Sequence, residues 1–173
     1  PSVQVGLLGE TRWAGVHEAV YDFDEQLAKG ASGEELLDAF FSREWIIRPA
    51  TRREQRQGID RHYVCRKDGR YFKVEYKTDY LAHKTGNAFI ETVSIDSEGR
   101  AGWAYTSKAD FLFYFVVEDL LLYILPMETI RKQLSRWAKE YPIKVVPNRG
   151  YRTYGILVPL CEFEEHSVQV VSM

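Results

Sequence analysis

The chain has only two cysteines among its 173 residues, Cys65 and Cys161, and neither lies in a CxxC pair or near paired histidines. This scarcity argues against a zinc site, and two reduced, packed thiols are favoured over a disulfide. The sequence also lacks a long apolar run: the longest, FLFYFVV followed by LLLYILP, is interrupted by Glu118 and Asp119. A membrane span needs about 20 apolar residues, so none is predicted. No basic region precedes an apolar core at the start, so a cytoplasmic location is expected.

Several catalytic signatures are missing as well. The sequence contains no GxGxxG, no phosphate-loop lysine, no GxSxG and no Cys/His nucleophile pattern, and its four histidines form no HxxxH pair. These absences exclude a nucleotide-driven enzyme built on the common loops. The net charge of −2 also excludes a polycation. Any binding of nucleic acid must therefore come from a local basic face.

The pattern of the chain favours a single α/β domain over residues 1–173, with helices first, then a mixed β-sheet and a helix inserted late. Apolar spacing predicts a helix from 12 to 29, and Ser32 with Glu35 forms a capping box for the next. Residues 62–77 predict a hairpin that turns at Asp68-Gly69. The runs 44–50, 88–95, 111–117 and 120–126 predict further strands, and 127–141 predicts a helix with Ile130, Leu134, Trp137 and Ala138 on one face.

The hairpin carries an unusual set of charged residues. Glu75 and Lys77 are two residues apart, so they share one face of their strand, while Val74 and Tyr76 share the other. Because the turn folds the first strand back, Asp60 is expected near the end of the second. Two carboxylates are thereby predicted to meet at one end of the hairpin.

Paired carboxylates repel each other and are tolerated when a divalent cation lies between them. A lysine beside them can position a water molecule or hold a phosphate oxygen. Asp60, Glu75 and Lys77 are therefore a suitable set for metal-assisted phosphodiester hydrolysis. The plain alternative is a solvated strand face with alternating charges, since acid-x-Lys is a common pattern.

The ordered set GIDRHYV…FKVEYK resembles the (P)D…(D/E)xK signature of the restriction-endonuclease-like nucleases, with Ile59 in place of the proline. The stretches TGN…IE and SKAD are similar to segments of small prokaryotic and phage members, so the resemblance covers roughly residues 10–135. It implies a restriction-endonuclease-like core, in which a mixed β-sheet is flanked by helices. It also implies an endonuclease that uses Mg²⁺ or Mn²⁺, with Asp60 and Glu75 as metal ligands and Lys77 as the water-positioning base.

The same resemblance implies a carboxylate on the preceding helix that supports the metal site. Glu18 is the first choice, because Trp13, Val16 and Val20 would press that side of the helix onto the sheet. Glu25 and Glu10 remain open. A solvated helix acid is the alternative reading for each of the three.

A basic segment surrounds the hairpin, although the whole chain is slightly acidic. We expect it to contact a phosphate backbone, with DNA as the favoured partner. The expected nucleic-acid contacts are Arg52, Arg53, Arg56 and Lys108. Asn87, delivered by the turn at Gly86, and Glu91, an acid in an apolar strand, are possible auxiliary residues. A solvated basic surface and an outward-facing strand acid are the competing interpretations.

Three hypotheses stay open from the sequence. The leading one is a metal-dependent DNA endonuclease, and the resemblance adds the expectation of a homodimer. The second is a catalytically inactive nucleic-acid-binding or assembly protein with the same fold. The third is a structural β-rich protein with no nucleic-acid partner. The sequence leaves DNA against RNA, and duplex against branched or single-stranded substrates, undecided.

Overall fold

The computed structural model describes residues 32–173, so the predicted helix at 12–29, with Glu18, Glu25 and Glu10, lies outside the described residues. Ser32 caps the first described helix with the predicted capping box, in which Glu35 bonds back to the Ser32 backbone. The helices, in chain order, are α1 Gly33–Phe41, α2 Arg52–Gln55, α3 Ala82–Thr85, α4 Trp103–Thr106, α5 Met127–Glu140 and α6 Leu160–His166. The strands are β1 Trp45–Pro49, β2 Arg61–Cys65, β3 Tyr71–Asp79, β4 Asn87–Ile95, β5 Arg100–Ala101, β6 Phe111–Val116, β7 Leu121–Pro126, β8 Ile143–Asn148, β9 Tyr151–Pro159 and β10 Gln169–Ser172.

The larger of two sheets has six strands in the order β1-β2-β3-β6-β7-β10. Its central pair, β3 and β6, is parallel, and the other neighbours are antiparallel. The predicted α/β class, with a mixed sheet flanked by helices, is therefore confirmed. The predicted hairpin is β2–β3, and Gly69 takes the left-handed conformation, φ 72°, that its turn requires.

A smaller antiparallel sheet has four strands in the order β5-β4-β9-β8. Its strands β4 and β9 contribute Ala88, Ile90, Ile156 and Val158 to a core that also holds Leu112 and Tyr114 of the larger sheet. Helix α5 adds Ile130, Leu134 and Trp137 to this core as predicted, whereas Ala138 is exposed. A second core lies on the other face of the larger sheet, under α1.

Because β3 lies between these two cores, it is buried on both faces. Val74 and Tyr76 belong to the core under α1, as predicted. Glu75 faces the opposite side and is only 3% exposed. The reading of this side as a solvated strand face is therefore wrong at Glu75. The cause is the parallel pairing with β6, which makes β3 a central strand and brings Leu112 beside Glu75.

The polar runs 51–60 and 103–110, which by their composition indicate loops, contain the short helices α2 and α4, and Thr51 forms a capping box with Glu54. The segment after β9 forms α6 and β10, an edge strand of the larger sheet. Both cysteines are free, and Cys65 is buried as expected, but Cys161 is exposed rather than packed. In residues 32–173, every helix is too short or too polar to cross a membrane.

Candidate active site at the end of the β2–β3 hairpin

The register of the hairpin brings Asp60 onto the middle of β3. Arg61 pairs with Val74, so Asp60 lies one step beyond that pair. Its backbone N–H donates to the Val74 carbonyl at 2.8 Å, and its Oδ2 accepts from the Tyr76 N–H at 2.8 Å. The Asp60 carboxylate is thereby held beside the backbone that joins Glu75 to Lys77.

Glu75 and Lys77 lie on the same face of β3 and contact each other directly. The Lys77 Nζ is 2.5 Å from the Glu75 Oε1. The Lys77 side chain is about one-third exposed, whereas that of Glu75 is almost fully buried. The pair therefore joins a buried carboxylate to a side chain that is partly accessible to solvent.

The second oxygen of Glu75 is the most unusual atom of the site. Oε2 is buried and has no hydrogen-bond partner among the described residues. Burial raises the pKa of Glu75; the Lys77 ammonium lowers it, and the carboxylates of Asp60 and Glu91 raise it further. A buried acceptor without a donor is costly, and it is rare in a native protein unless something else satisfies it.

Glu91 on β4 of the smaller sheet is a further acid in the surroundings of Glu75, and its negative charge contributes to the raised pKa of Glu75. Helix α4 borders the same region, because the Lys77 Nζ lies 5.7 Å from the centre of the Trp103 ring. The chain passes so close here that a methyl group on Gly102 would lie 2.3 Å from the Glu91 carbonyl oxygen. The position of Glu91 as a possible auxiliary residue stays a prediction, and Trp103 is a neighbour of Lys77 that the sequence did not indicate.

The loop before Asp60 is anchored on the segment after α4. Gly58 has a left-handed φ of 68°, and its carbonyl accepts from the Ser107 Oγ at 2.6 Å. The Lys108 N–H donates to the Gln57 carbonyl at 2.7 Å. These two bonds join the GID and SKAD stretches, which are 49 residues apart at Gly58 and Ser107. The sequence signal for this contact is weak: a glycine, Gly58, two residues before Asp60.

The basic residues predicted to contact nucleic acid lie on the two segments that meet at Gly58 and Ser107. Arg52, Arg53 and Arg56 are exposed on α2 and at its C-terminal end, and Lys108 is exposed on the adjoining loop. Within residues 32–173, none of the four side chains forms an ion pair. The structure therefore leaves four cationic side chains available near the loop that carries Asp60.

Asn87 is used locally. Its Nδ2 donates to the Thr85 carbonyl at 2.6 Å, and Gly86 has a φ of 67° in the same turn. The turn predicted at Gly86 is present, but the Asn87 amide is committed to it. The described contacts do not bring Asn87 to Asp60 or Glu75.

A polar network on the other face of the sheet fixes the backbone of the site. The Tyr76 hydroxyl donates to the Asp38 Oδ1 at 3.0 Å and contacts the Tyr63 hydroxyl. Arg61 bonds Asp38 through Nε and donates from Nη1 to the Asp60 carbonyl at 3.1 Å. Helix α1 thus holds both strands from which Asp60 and Glu75 project.

The donor set fits a hard divalent cation. Carboxylate and backbone carbonyl oxygens are the ligands that Mg²⁺ and Mn²⁺ prefer, and Mg²⁺ commonly takes one or two carboxylates and completes its shell with water and phosphate. Among residues 32–173 there is no cluster of three acidic, histidine or cysteine ligands arranged for a metal. Asp60 and Glu75 offer two carboxylates, a type of donor that suits Mg²⁺ and does not suit structural zinc.

Comparisons with known proteins give one match. No protein-family model matches the sequence, and no curated protein matches it significantly. Among solved structures, the bacterial homing endonuclease I-Ssp6803I matches with a TM-score of 0.39 and 15% sequence identity, over 69% of this chain and 73% of that chain. A likeness of this size assigns neither a family nor a site.

Proposed function

We propose that the protein is a metal-dependent nuclease that hydrolyses phosphodiester bonds of DNA. The observation that carries this proposal is the buried Oε2 of Glu75, which has no hydrogen-bond partner within residues 32–173, beside a second carboxylate on Asp60 and a lysine amine 2.5 Å from Oε1. A structural protein gains nothing from this arrangement, because an unsatisfied buried carboxylate oxygen destabilises the fold.

Asp60 and Glu75 would hold Mg²⁺ or Mn²⁺. Such an ion neutralises charge on the phosphate and lowers the pKa of bound water. The protein contributes the positions of the two acids: Asp60 is fixed by the Tyr76 N–H and Glu75 by its place in the central strand. Glu18 is proposed as a supporting carboxylate on the residue pattern alone.

Lys77 orients the attacking water and stabilises the charge that develops on the phosphate oxygens. The water oxygen forms a new bond to phosphorus as the bond from phosphorus to the 3′ oxygen breaks, and the proton that the water loses to solvent is balanced by one that the 3′ oxygen takes from solvent. The products are a 5′-phosphate and a 3′-hydroxyl, as the resemblance implies. The contact of Lys77 with Glu75 and the Trp103 ring nearby limit the positions the amine can take.

The exposed cations of α2 and Lys108 would contact phosphates next to the cut. Each is exposed and lies on the segments joined at Gly58 and Ser107. Phosphate contacts of this kind supply affinity and position without reading sequence. The pairing of two chains, expected for cleavage of both strands, stays a prediction.

The test is cleavage of plasmid and branched DNA by purified protein in Mg²⁺, Mn²⁺ or EDTA. Wild type is expected to cut only with the divalent ion, and Lys77→Ala is expected to lose about 10²–10⁴-fold in rate, as for the removal of a general catalyst. Lys67→Ala is the matched control, since Lys67 is exposed at the far end of the same hairpin. Equal rates for Lys77→Ala and wild type would refute the assignment.

The second candidate is a nucleic-acid-binding protein with the same fold and no chemistry. The exposed, unpaired cations favour it as much as they favour the nuclease. It differs in predicting that Mg²⁺ changes neither stability nor DNA retention. Isothermal titration of the protein with Mg²⁺ and Mn²⁺ separates the two.

A further inference from the structure

Strands β8 and β9 form a ribbon, residues 143–154, at the outer edge of the smaller sheet, and it is two-stranded beyond the last β4–β9 pair, Val93–Tyr154. All six residues of β8 are exposed, and so are the first two of β9. The exposed side chains include large apolar ones, with Ile143 at 59% and Tyr151 at 36%. An exposed apolar surface bordered by charges commonly marks an interaction site.

The ribbon is positively charged. Residues 143–154, IKVVPNRGYRTY, contain three basic residues and no acid, in a chain whose net charge is −2. Arg152 is held by Asp96, with Nε and Oδ2 2.8 Å apart. Lys144 and Arg149 form no ion pair with any residue in the described part of the chain.

Hydrogen bonds tie the ribbon to β4, the strand that carries Glu91. The Asn148 Nδ2 donates across it to the Thr153 Oγ1 at 3.0 Å, and the Thr153 hydroxyl donates to the Ser94 carbonyl of β4 at 2.9 Å. At its base, Gly155 lies directly opposite Glu91 in the β4–β9 register. Five residues separate Gly155 from the turn at Gly150, so the tip lies about 17 Å along the strand from Glu91.

We propose that this ribbon enters the major groove of B-form duplex DNA bound at the site. The inference rests on the proposed function and names the substrate as a DNA duplex. The major groove is about 12 Å wide and admits a two-stranded ribbon. Lys144 and Arg149 contact phosphates there, and exposed aliphatic side chains such as Val146 can meet thymine methyl groups. The major groove of duplex RNA is deep and narrow and does not admit such an element.

The sequence of β8 disfavours a second copy of the chain as the occupant. Pro147 has no N–H to donate to an incoming strand, and Lys144 places a charge on the same strand. Proline and lysine on an edge strand are common devices that prevent sheet-to-sheet association. A polyanion satisfies the charges that a second identical ribbon would repel.

The experiment measures the binding of a labelled 30-base-pair DNA duplex by fluorescence anisotropy in EDTA, which separates binding from cleavage. Removing two phosphate contacts reduces the slope of log K against log salt by about 1.8, equivalent to roughly 60-fold in affinity at 0.1 M salt. Lys144→Gln with Arg149→Gln is expected to show this loss, and Lys67→Gln, an exposed cation on the other sheet, is expected to bind like wild type. Binding of duplex RNA is expected to be weak and changed less than threefold by the double substitution.

The outcomes separate the ribbon from the chemistry. Unchanged duplex affinity in the double variant, an equal loss on duplex RNA, or no duplex binding by wild type would each overturn the ribbon proposal. A dimer in the free protein that Val146→Lys dissociates would also overturn it. Ribbon-dependent binding without cleavage in Mg²⁺ would instead refute the nuclease and leave the ribbon proposal standing.

Discussion

Gly58 is the residue whose substitution tests how the site is assembled. It has a φ of 68°, and an added methyl group would lie 2.7 Å from the Ser107 Cα, a backbone atom that cannot move alone. The left-handed conformation costs an alanine about 1–2 kcal/mol, and the overlap adds about 1–3 kcal/mol. The alanine also lowers the conformational entropy of the unfolded chain, which stabilises the folded state by about 0.4–1 kcal/mol. The net loss for Gly58→Ala is thus about 3 kcal/mol, or about 6–12 °C in unfolding temperature for a chain of this size.

Gly69→Ala provides the matched control. Gly69 has a similar φ of 72°, but nothing lies within 4 Å of an added methyl group. Gly69→Ala should lower the free energy of unfolding only by the cost of the left-handed conformation, about 1 kcal/mol, which lowers the unfolding temperature by about 2–4 °C. Thermal unfolding followed by circular dichroism measures both variants, and DNA cleavage at a temperature where both are folded measures the effect on Asp60. Equal unfolding temperatures for the two variants would refute the close approach between Gly58 and Ser107.

The remaining predictions concern Glu75. A ligand at 100 times its Kd stabilises a protein by about 2.7 kcal/mol. At about 2–4 °C per kcal/mol, saturating Mg²⁺ should raise the unfolding temperature of wild type by about 5–11 °C. Glu75→Gln should abolish that rise, and an equal rise in this variant, measured by differential scanning fluorimetry, would place the ion elsewhere. Because the pKa of Glu75 is raised in the folded protein, the folded state binds more protons than the unfolded state. Without divalent ions, the contribution of Glu75 to the free energy of unfolding therefore falls as the pH rises. The fall begins near the ordinary glutamate pKa and continues through the raised pKa of the folded state. Urea unfolding across this pH window should show a smaller decline in the free energy of unfolding for Glu75→Gln than for wild type. Identical declines would contradict the burial of a Glu75 carboxyl group with a raised pKa.

The β-hairpin and its charged residues were predictable because their signals are local. Alternation over residues 71–77 indicates a strand, Asp68-Gly69 indicates the turn, and the length of each arm then brings Asp60 to β3. The capping box at Ser32 is likewise a pattern of four residues. The parallel partner of β3 was not predictable in this way, because β6 begins 32 residues after the end of β3 and no turn fixes their register.

The amino-acid sequence by itself determined that Glu75 and Lys77 share a face of one strand, through strand periodicity, and that a short turn brings Asp60 to the same end of the hairpin. Only the tertiary structure decided that Glu75 is buried, that its Oε2 has no described partner, and that Glu91 and Trp103 lie in its surroundings. The physical reason is that the burial of a strand side chain, and the electrostatic field at that side chain, depend on the residues that pack against the strand. Here the covering residues come from β4, α4 and β6, whose positions depend on long-range contacts rather than on local sequence.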